Sequence, residues 1–345
     1  MEINDLYRIY LEHPSIKTDT RKIIKGDLFF ALKGPNFNGN QFAQQALDAG
    51  AAYVIIDEEL NFTDERLIKT NDVLHTLQEL AKHHREQFDI PFIAITGSNG
   101  KTTTKELVHA VLSSSYKTYT TEGNLNNHIG IPLTILKIKR DAQMAVIEMG
   151  ANHQKEIEGY CVYTQPTHGV ITNAGKAHLE GFGGVEGVRK GKAELYDYLA
   201  AHDGMVFIFA DYDYLWDMAK DVRDFVPYST YRNSSGGIIQ GDILSNEPFL
   251  SVAIKEGFSE AVTIQTQLVG DYNFPNILCA VAIGKYFDVP EEKIKSAIEN
   301  YSPSNSRSQL MQKGTNTIIL DAYNANPSSM KAAIENFALL RADKK

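Results

Sequence analysis

Residues 93–103 read Ile-Ala-Ile-Thr-Gly-Ser-Asn-Gly-Lys-Thr-Thr, an apolar run, a glycine turn and a helix start. That order is what polyphosphate binding needs. Gly97 and Gly100 permit backbone angles and close approach that a Cβ would block, and successive N–H groups at a helix start point at an anion. Lys101 supplies a counter-charge for the outer phosphates and Thr102 a hydroxyl for magnesium, while Ser98, Asn99 and Thr103 complete the wrap. The spacing, GxxGKT, is shorter than the common GxxxxGK[ST] loop. A turn that merely caps a helix is the plain alternative. Gly, Gly, Lys and Thr in register after an apolar run argue against it.

Other segments carry weaker chemistry. The run 144–149 ends on Glu148, where nucleotide-binding sheets place a metal ligand, although an acid at a strand end is often only solvated. His178 follows another apolar run, 169–173, and open α/β sheets bind ligands beyond the carboxyl ends of their strands. Residues 121–132 hold Asn124, Asn126, Asn127 and His128 among apolar flanks, a pattern that ordinary turns also produce.

These residues need elements to hold them. Residues 26–32 and 52–56 read as strands and 42–49 as a helix; 71–88 has Leu74, Leu77, Ala81, His84 and Phe88 at helical spacing, with Asn71 or Asp72 as cap. Together they make a small mixed domain closed near Pro91. The short apolar runs 92–96, 144–149, 169–173 and 205–210 are expected as buried parallel strands separated by helices. Residues 252–269 alternate through two shorter runs, an expected antiparallel edge, before helices at 274–286 and 291–301. Beyond residue 305 only one strand, 317–320, and one helix, 328–340, are legible. One such pair is too little for a domain, so the expectation is the first, incomplete part of a third one.

Composition bounds the partners. A length of 345 residues fits two or three domains, and 43% hydrophobic with 22% charged residues excludes disorder. A net charge of −9 and the lack of a basic stripe argue against a nucleic-acid partner. Cys161 and Cys279 have no ligand or disulfide spacing, and no signal peptide or membrane-length apolar run is present. A cytoplasmic enzyme, monomeric and without membrane insertion, is expected.

From about residue 18 to its end the chain resembles the Mur ligases, whose phosphate loop has this short form. Residues 121–132 are similar to that family's TxxNxNNxxGxP segment, which faces the muramoyl-peptide, and 173–179 to its metal-binding histidine motif. Lys192, in Gly-Lys-Ala-Glu-Leu-Tyr, matches the position of a lysine carbamylated by carbon dioxide; Lys190 is the near competitor, and either lysine taken alone would read as a solvated charge. Residues 268–276 resemble GxHNxxN, whose asparagine, here Asn273, contacts adenine; the motif's histidine is not kept. Arg307 matches an arginine reaching the nucleotide. Thr20, Arg21 and the stretches 26–34 and 38–39 resemble a uridine-diphosphate-binding segment, with Asn40 replacing a frequent histidine. Residues 321–330, Asp-Ala-Tyr-Asn-Ala-Asn-Pro-Ser-Ser-Met, resemble the signature of the member that adds D-alanyl-D-alanine.

The resemblance implies a small mixed α/β domain (1–88) for the UDP-muramoyl substrate, a central mostly parallel-sheet P-loop ATPase-like domain (89–306), and the start of a Rossmann-like third domain (307–345). It implies an ATP-dependent, ADP-forming ligase of peptidoglycan and cell-wall biogenesis, joining D-alanyl-D-alanine to UDP-N-acetylmuramoyl-tripeptide through an acyl phosphate. ATP and two Mg2+ ions are the implied cofactors, with Thr102, Glu148, His178 and carbamylated Lys192 as ligands. Asp321 would meet the ribose, Asn324 the substrate, and Asn326 would join Lys101, Glu148, His178 and Lys192 in catalysis. The alternatives are a tripeptide-forming Mur ligase, a folate polyglutamating enzyme, or a P-loop NTPase without ligase activity.

Overall fold

The computed structural model describes residues 1–233, 236–303, 307, 309–323 and 325–340. They form two compact units, each interrupted in sequence.

The first unit comprises Met1–Asp89, Thr121–Arg140 and Gly159–Gln165. Its four parallel strands lie in the order Ile16–Lys17, Leu28–Phe30, Tyr53–Ile56, Leu67–Lys69. Phe29, Ala43, Ala46, Leu47 and Val54 fill the core beneath them. The helix expected over 71–88 is Val73–Arg85, and the choice of cap falls to Asp72, whose carboxylate accepts from the His75 N–H at 2.7 Å. Further along that helix, His84 Nε2 lies 2.8 Å from the Ile138 carbonyl and Nδ1 3.0 Å from the Tyr7 hydroxyl. A carbonyl only accepts, so Nε2 carries the proton and Nδ1 accepts from Tyr7. This fixes the helix against Thr121–Arg140 within the unit.

The second unit, Ile90–Thr120, Asp141–Glu158 and Pro166–Lys345, is built on a nine-stranded sheet. Seven strands run parallel in the order Ile239–Ser245, Asp224–Thr230, Met205–Phe209, His168–Ile171, Phe92–Thr96, Met144–Glu148, Thr118–Thr120. Ser251–Glu256 and Val262–Gln265 add the expected antiparallel edge. Every residue of Phe92–Thr96 and Met144–Glu148 is buried, as strands covered on both faces require. The helices Phe274–Tyr286 and Glu291–Asn300 also stand where their patterns put them.

Several strands escaped the sequence reading, and three of them are five residues or longer. Asp224–Thr230 carries Pro227 in its middle, Ile239–Ser245 exposes Ile243 and Leu244, and Gln309–Lys313 is mostly polar. None shows a clean period, so pairing alone defines them. The strand expected at 317–320 is therefore half of a hairpin, Asn316–Leu320 with Gln309–Lys313. The helix Pro327–Leu339 follows and leaves Met330, Ile334 and Phe337 exposed. Among the described residues no helix is long and apolar enough to cross a membrane.

The topology also locates a crevice. Phe92–Thr96 has Met144–Glu148 on one side and His168–Ile171 on the other, although both come later in the chain. The strand order thus reverses at Phe92–Thr96, and ligands bind outside the carboxyl ends of strands at such a point.

Candidate active site

The three central strands deliver the candidate chemistry to one end of the sheet. Thr96 pairs with Ile171 and Ile95 with Glu148, so the glycine loop, Glu148 and the segment from Thr172 to His178 leave the sheet together. The loop runs from Gly97 (φ +145°) through Ser98 and Asn99 to Gly100 (φ +80°), angles a side chain would resist. The helix Lys101–Ser113 starts immediately after. Its first-turn amides have no partner within the helix and, with the helix dipole, favour an anion.

Lys101 bends back over this loop, donating to the Gly97 carbonyl at 2.7 Å and the Ser98 carbonyl at 3.2 Å. Loss of water around the ammonium lowers its pKa, Glu148 opposes this and Arg307 reinforces it. The Thr102 hydroxyl donates to Glu148 Oε1 at 3.2 Å, and the carboxylate is 1% exposed. A hydroxyl and a carboxylate meeting at the base of a phosphate loop suit a hard divalent cation. Thr103, the next residue, is partly buried.

Lys192 and Lys190 part company. Lys190 is exposed, whereas Lys192, on the helix Val185–Ala201, is 2% exposed, with Nζ 3.5 Å from the Ala151 carbonyl and 5.3 Å from the Phe182 ring centre. Burial, with Lys101 adding repulsion, lowers its pKa to about 7 against the attraction of Glu156 and Glu194. The solvated-charge reading therefore fails for Lys192. His178 is exposed in the left-handed region (φ +53°), where it heads the short helix Leu179–Phe182; partial burial, then Lys101 and Lys192, lower its pKa. Lysines 101 and 192 and the histidine share one electrostatic neighbourhood. Among the described residues no three His, Cys, Asp or Glu side chains gather there.

The remaining expected residues are placed as follows. Asn273 is buried, its amide donating to the Val269 carbonyl and its oxygen accepting from Asn276, while Asp271 is exposed. Arg307 stacks on the Tyr323 ring at 3.9 Å. Asn326 caps the helix Pro327–Leu339 and donates to Asn99 Oδ1 at 2.7 Å, so it touches the phosphate loop. Asp321 is exposed. Asn324 lies outside the described residues.

In the first unit, Arg21 is exposed and doubly hydrogen-bonded to Asp19, two residues before it, and Thr20 opens the same short turn. Asn127 accepts from the Ile129 and Gly130 amides in the turn that leads into Gly130–Ile135; Asn124 is exposed and Asn126 half-buried. The Asn40 side chain is occupied with Asp57, donating to its carboxylate and accepting from its N–H.

The sequence reading missed Thr172, Asn173 and Asn276. Asn276 accepts from Thr104 of the loop helix and approaches Gly100, where an added Cβ would lie 2.7 Å from its oxygen. Thr172 and Asn173 bond to the loop itself. A Thr-Asn pair ending a strand announces nothing; only the strand order places it beside the loop.

Comparison with known proteins follows the same outline. Residues 95–284 match the Mur ligase middle domain and 14–91 match the Mur ligase family, catalytic domain. The UDP-N-acetylmuramoyl-tripeptide--D-alanyl-D-alanine ligase of Bacillus subtilis is 36% identical, over 93% of this chain and 69% of its own length. Its Escherichia coli counterpart is also 36% identical, over 94% and 72%. The crystal structure of MurF from Acinetobacter baumannii superposes with a TM-score of 0.84 at 31% identity, covering 94% of this chain and 71% of that one. MurF ligase from Thermotoga maritima, in complex with ADP, shares the fold with a TM-score of 0.83 at 24% identity, covering 95% and 75%.

Proposed function

This chain belongs to the Mur ligase family, and from that membership and its phosphate-loop site we infer an ATP-dependent, ADP-forming ligase that joins D-alanyl-D-alanine to UDP-N-acetylmuramoyl-tripeptide in peptidoglycan precursor synthesis. One observation carries the site assignment: the loop with Lys101, the Thr102–Glu148 pair and the His178 segment leave three adjacent strands at the end where the strand order reverses.

The reaction joins two anions before it makes an amide. A carboxylate oxygen of the tripeptide attacks the γ-phosphorus of ATP, the bond to ADP breaks, and an acyl phosphate forms. The amine of D-alanyl-D-alanine then attacks the acyl carbon, phosphate leaves, and the nitrogen loses a proton. Charge neutralisation is the main requirement. Gly97, Ser98, Asn99, Gly100, Thr102 and Thr103 wrap the polyphosphate with Lys101 as counter-charge, while Asn273 serves the adenine and Arg307 and Asp321 the rest of the nucleotide. Thr102, Glu148, His178 and a carbamylated Lys192 would hold two Mg2+ ions, which would supply Lewis-acid neutralisation of the transferring phosphoryl group. The carbamate is needed because an ammonium cannot be a ligand. Thr20, Arg21, Asn124, Asn126 and Asn127 serve the UDP-muramoyl substrate, within a substrate region 1–88 and the loop that packs with it; 89–306 holds ATP, and 307 onward brings Asn324 and Asn326 to the reacting groups.

The test measures ADP release and amide product together, by coupled assay and mass spectrometry, with each substrate omitted in turn. Product that requires all three substrates is expected. ADP release indifferent to D-alanyl-D-alanine, with no amide, would instead establish an NTPase.

A further inference from the structure

We propose that Asn173, assisted by Thr172, is the positioning residue that holds the short phosphate loop in its anion-binding shape. The proposal rests on the nucleotide-binding reading and asks what the missing length of the loop is replaced by. Only Ser98 and Asn99 separate the two glycines, so the loop has little backbone with which to brace itself.

The brace comes from the neighbouring strand instead. The Asn173 side chain treats the Asn99 peptide as a strand partner would: its Oδ1 accepts from the Asn99 N–H at 3.0 Å and its Nδ2 donates to the Asn99 carbonyl at 3.0 Å. The Thr172 hydroxyl donates to the same carbonyl at 2.6 Å, and the Asn173 backbone carbonyl accepts from the Ser98 N–H at 2.9 Å. Ser98 Oγ then reaches the Gly175 carbonyl at 3.1 Å. Close packing follows, since a Cβ on Gly97 would stand 2.0 Å from the Thr172 hydroxyl.

The arrangement has two consequences. The Ser98 and Asn99 amides are spent on the brace, so the amides from Gly100 into the first helical turn are the ones turned to phosphate. The braced segment also leads within five residues to His178.

The test compares Asn173→Ala, Asn173→Asp, Thr172→Val and Thr172→Ser with the parent chain. Asp keeps the acceptor for the Asn99 N–H but sets a carboxylate oxygen against its carbonyl; Val removes the Thr172 hydroxyl at constant shape and Ser retains it. ADP and ATP affinities, kcat, and KM for each substrate are measured, with ligand-free melting temperatures. Both Asn173 variants and Thr172→Val are expected to weaken nucleotide binding roughly 10- to 100-fold, the scale of one or two lost hydrogen bonds to a fixed group. Thr172→Ser should stay near the parent. KM for ATP should rise more than kcat falls, while KM for D-alanyl-D-alanine stays unchanged. A folded Asn173→Ala that binds ADP like the parent overturns the brace alone. Equal losses in Thr172→Ser and Thr172→Val would do so too, and that pair decides the matter if the Asn173 variants fail to fold. A parent that binds no nucleotide overturns the ligase reading, and the brace with it.

Discussion

Lys192 offers a prediction whose size follows from its surroundings. The amine is 2% exposed and its pKa falls to about 7 from 10.5. At pH 7 about half of such amines are neutral, against roughly 0.03% for an ordinary lysine, so the nucleophilic form is enriched about a thousandfold. In the proposed carbamylation the ammonium first gives up a proton, the neutral nitrogen attacks carbon dioxide to form an N–C bond as one C=O π bond opens, and a second proton leaves, so that the side chain changes from cation to anion. Beside Lys101 and a bound Mg2+ that anion would be favoured where the ammonium is not. With 13C-bicarbonate, the folded protein should show a carbamate carbon by NMR that grows through pH 7 and disappears in Lys192→Met. Activity should follow the same rise and fall about tenfold per unit below it. Lys192→Met should lose on the order of 100- to 1000-fold in kcat, the scale of one charge-stabilising group. Lys192→Ala should recover part of its activity with added formate or acetate. A carbamate-free spectrum at pH 8 in bicarbonate, or near-normal activity of Lys192→Met, would refute the reasoning.

Lys101→Ala should cut ATP-dependent turnover by about 100-fold or more while the ligand-free protein still folds; unchanged steady-state activity would exclude the loop as the phosphate site. His168, among Phe207, Tyr286 and Phe287, has its pKa lowered to about 4 by burial. Its folded pKa lies below the unfolded value near 6.5, so stability is full above pH 6.5 and falls as the unfolded chain takes up the proton between 6.5 and 4. The loss is about 3 kcal/mol, and His168→Phe should flatten that part of a urea-unfolding series against pH. Asp72→Ala should remove about 1 kcal/mol from the first unit by uncapping Val73–Arg85, and a urea midpoint equal to the parent's would show that the cap contributes nothing.

Elements with strong local signals could be read from consecutive residues. Phe92–Thr96, Phe274–Tyr286 and the glycine loop were legible because runs of buried residues, helical periodicity and turn chemistry are written in consecutive positions. The resemblance added residues such as Asn273 and Asn326, but not what they touch. Tertiary structure alone decided that Lys192 is buried and Lys190 exposed, two residues apart on one helix, since the rotation of a helix against its neighbours sets burial. It also decided that Asn173 braces Asn99. These residues lie 74 positions apart, and only the strand order, in which His168–Ile171 returns beside Phe92–Thr96, makes them neighbours. Strand order depends on long-range pairing and on how helices cover the sheet, and no local pattern in the chain encodes either.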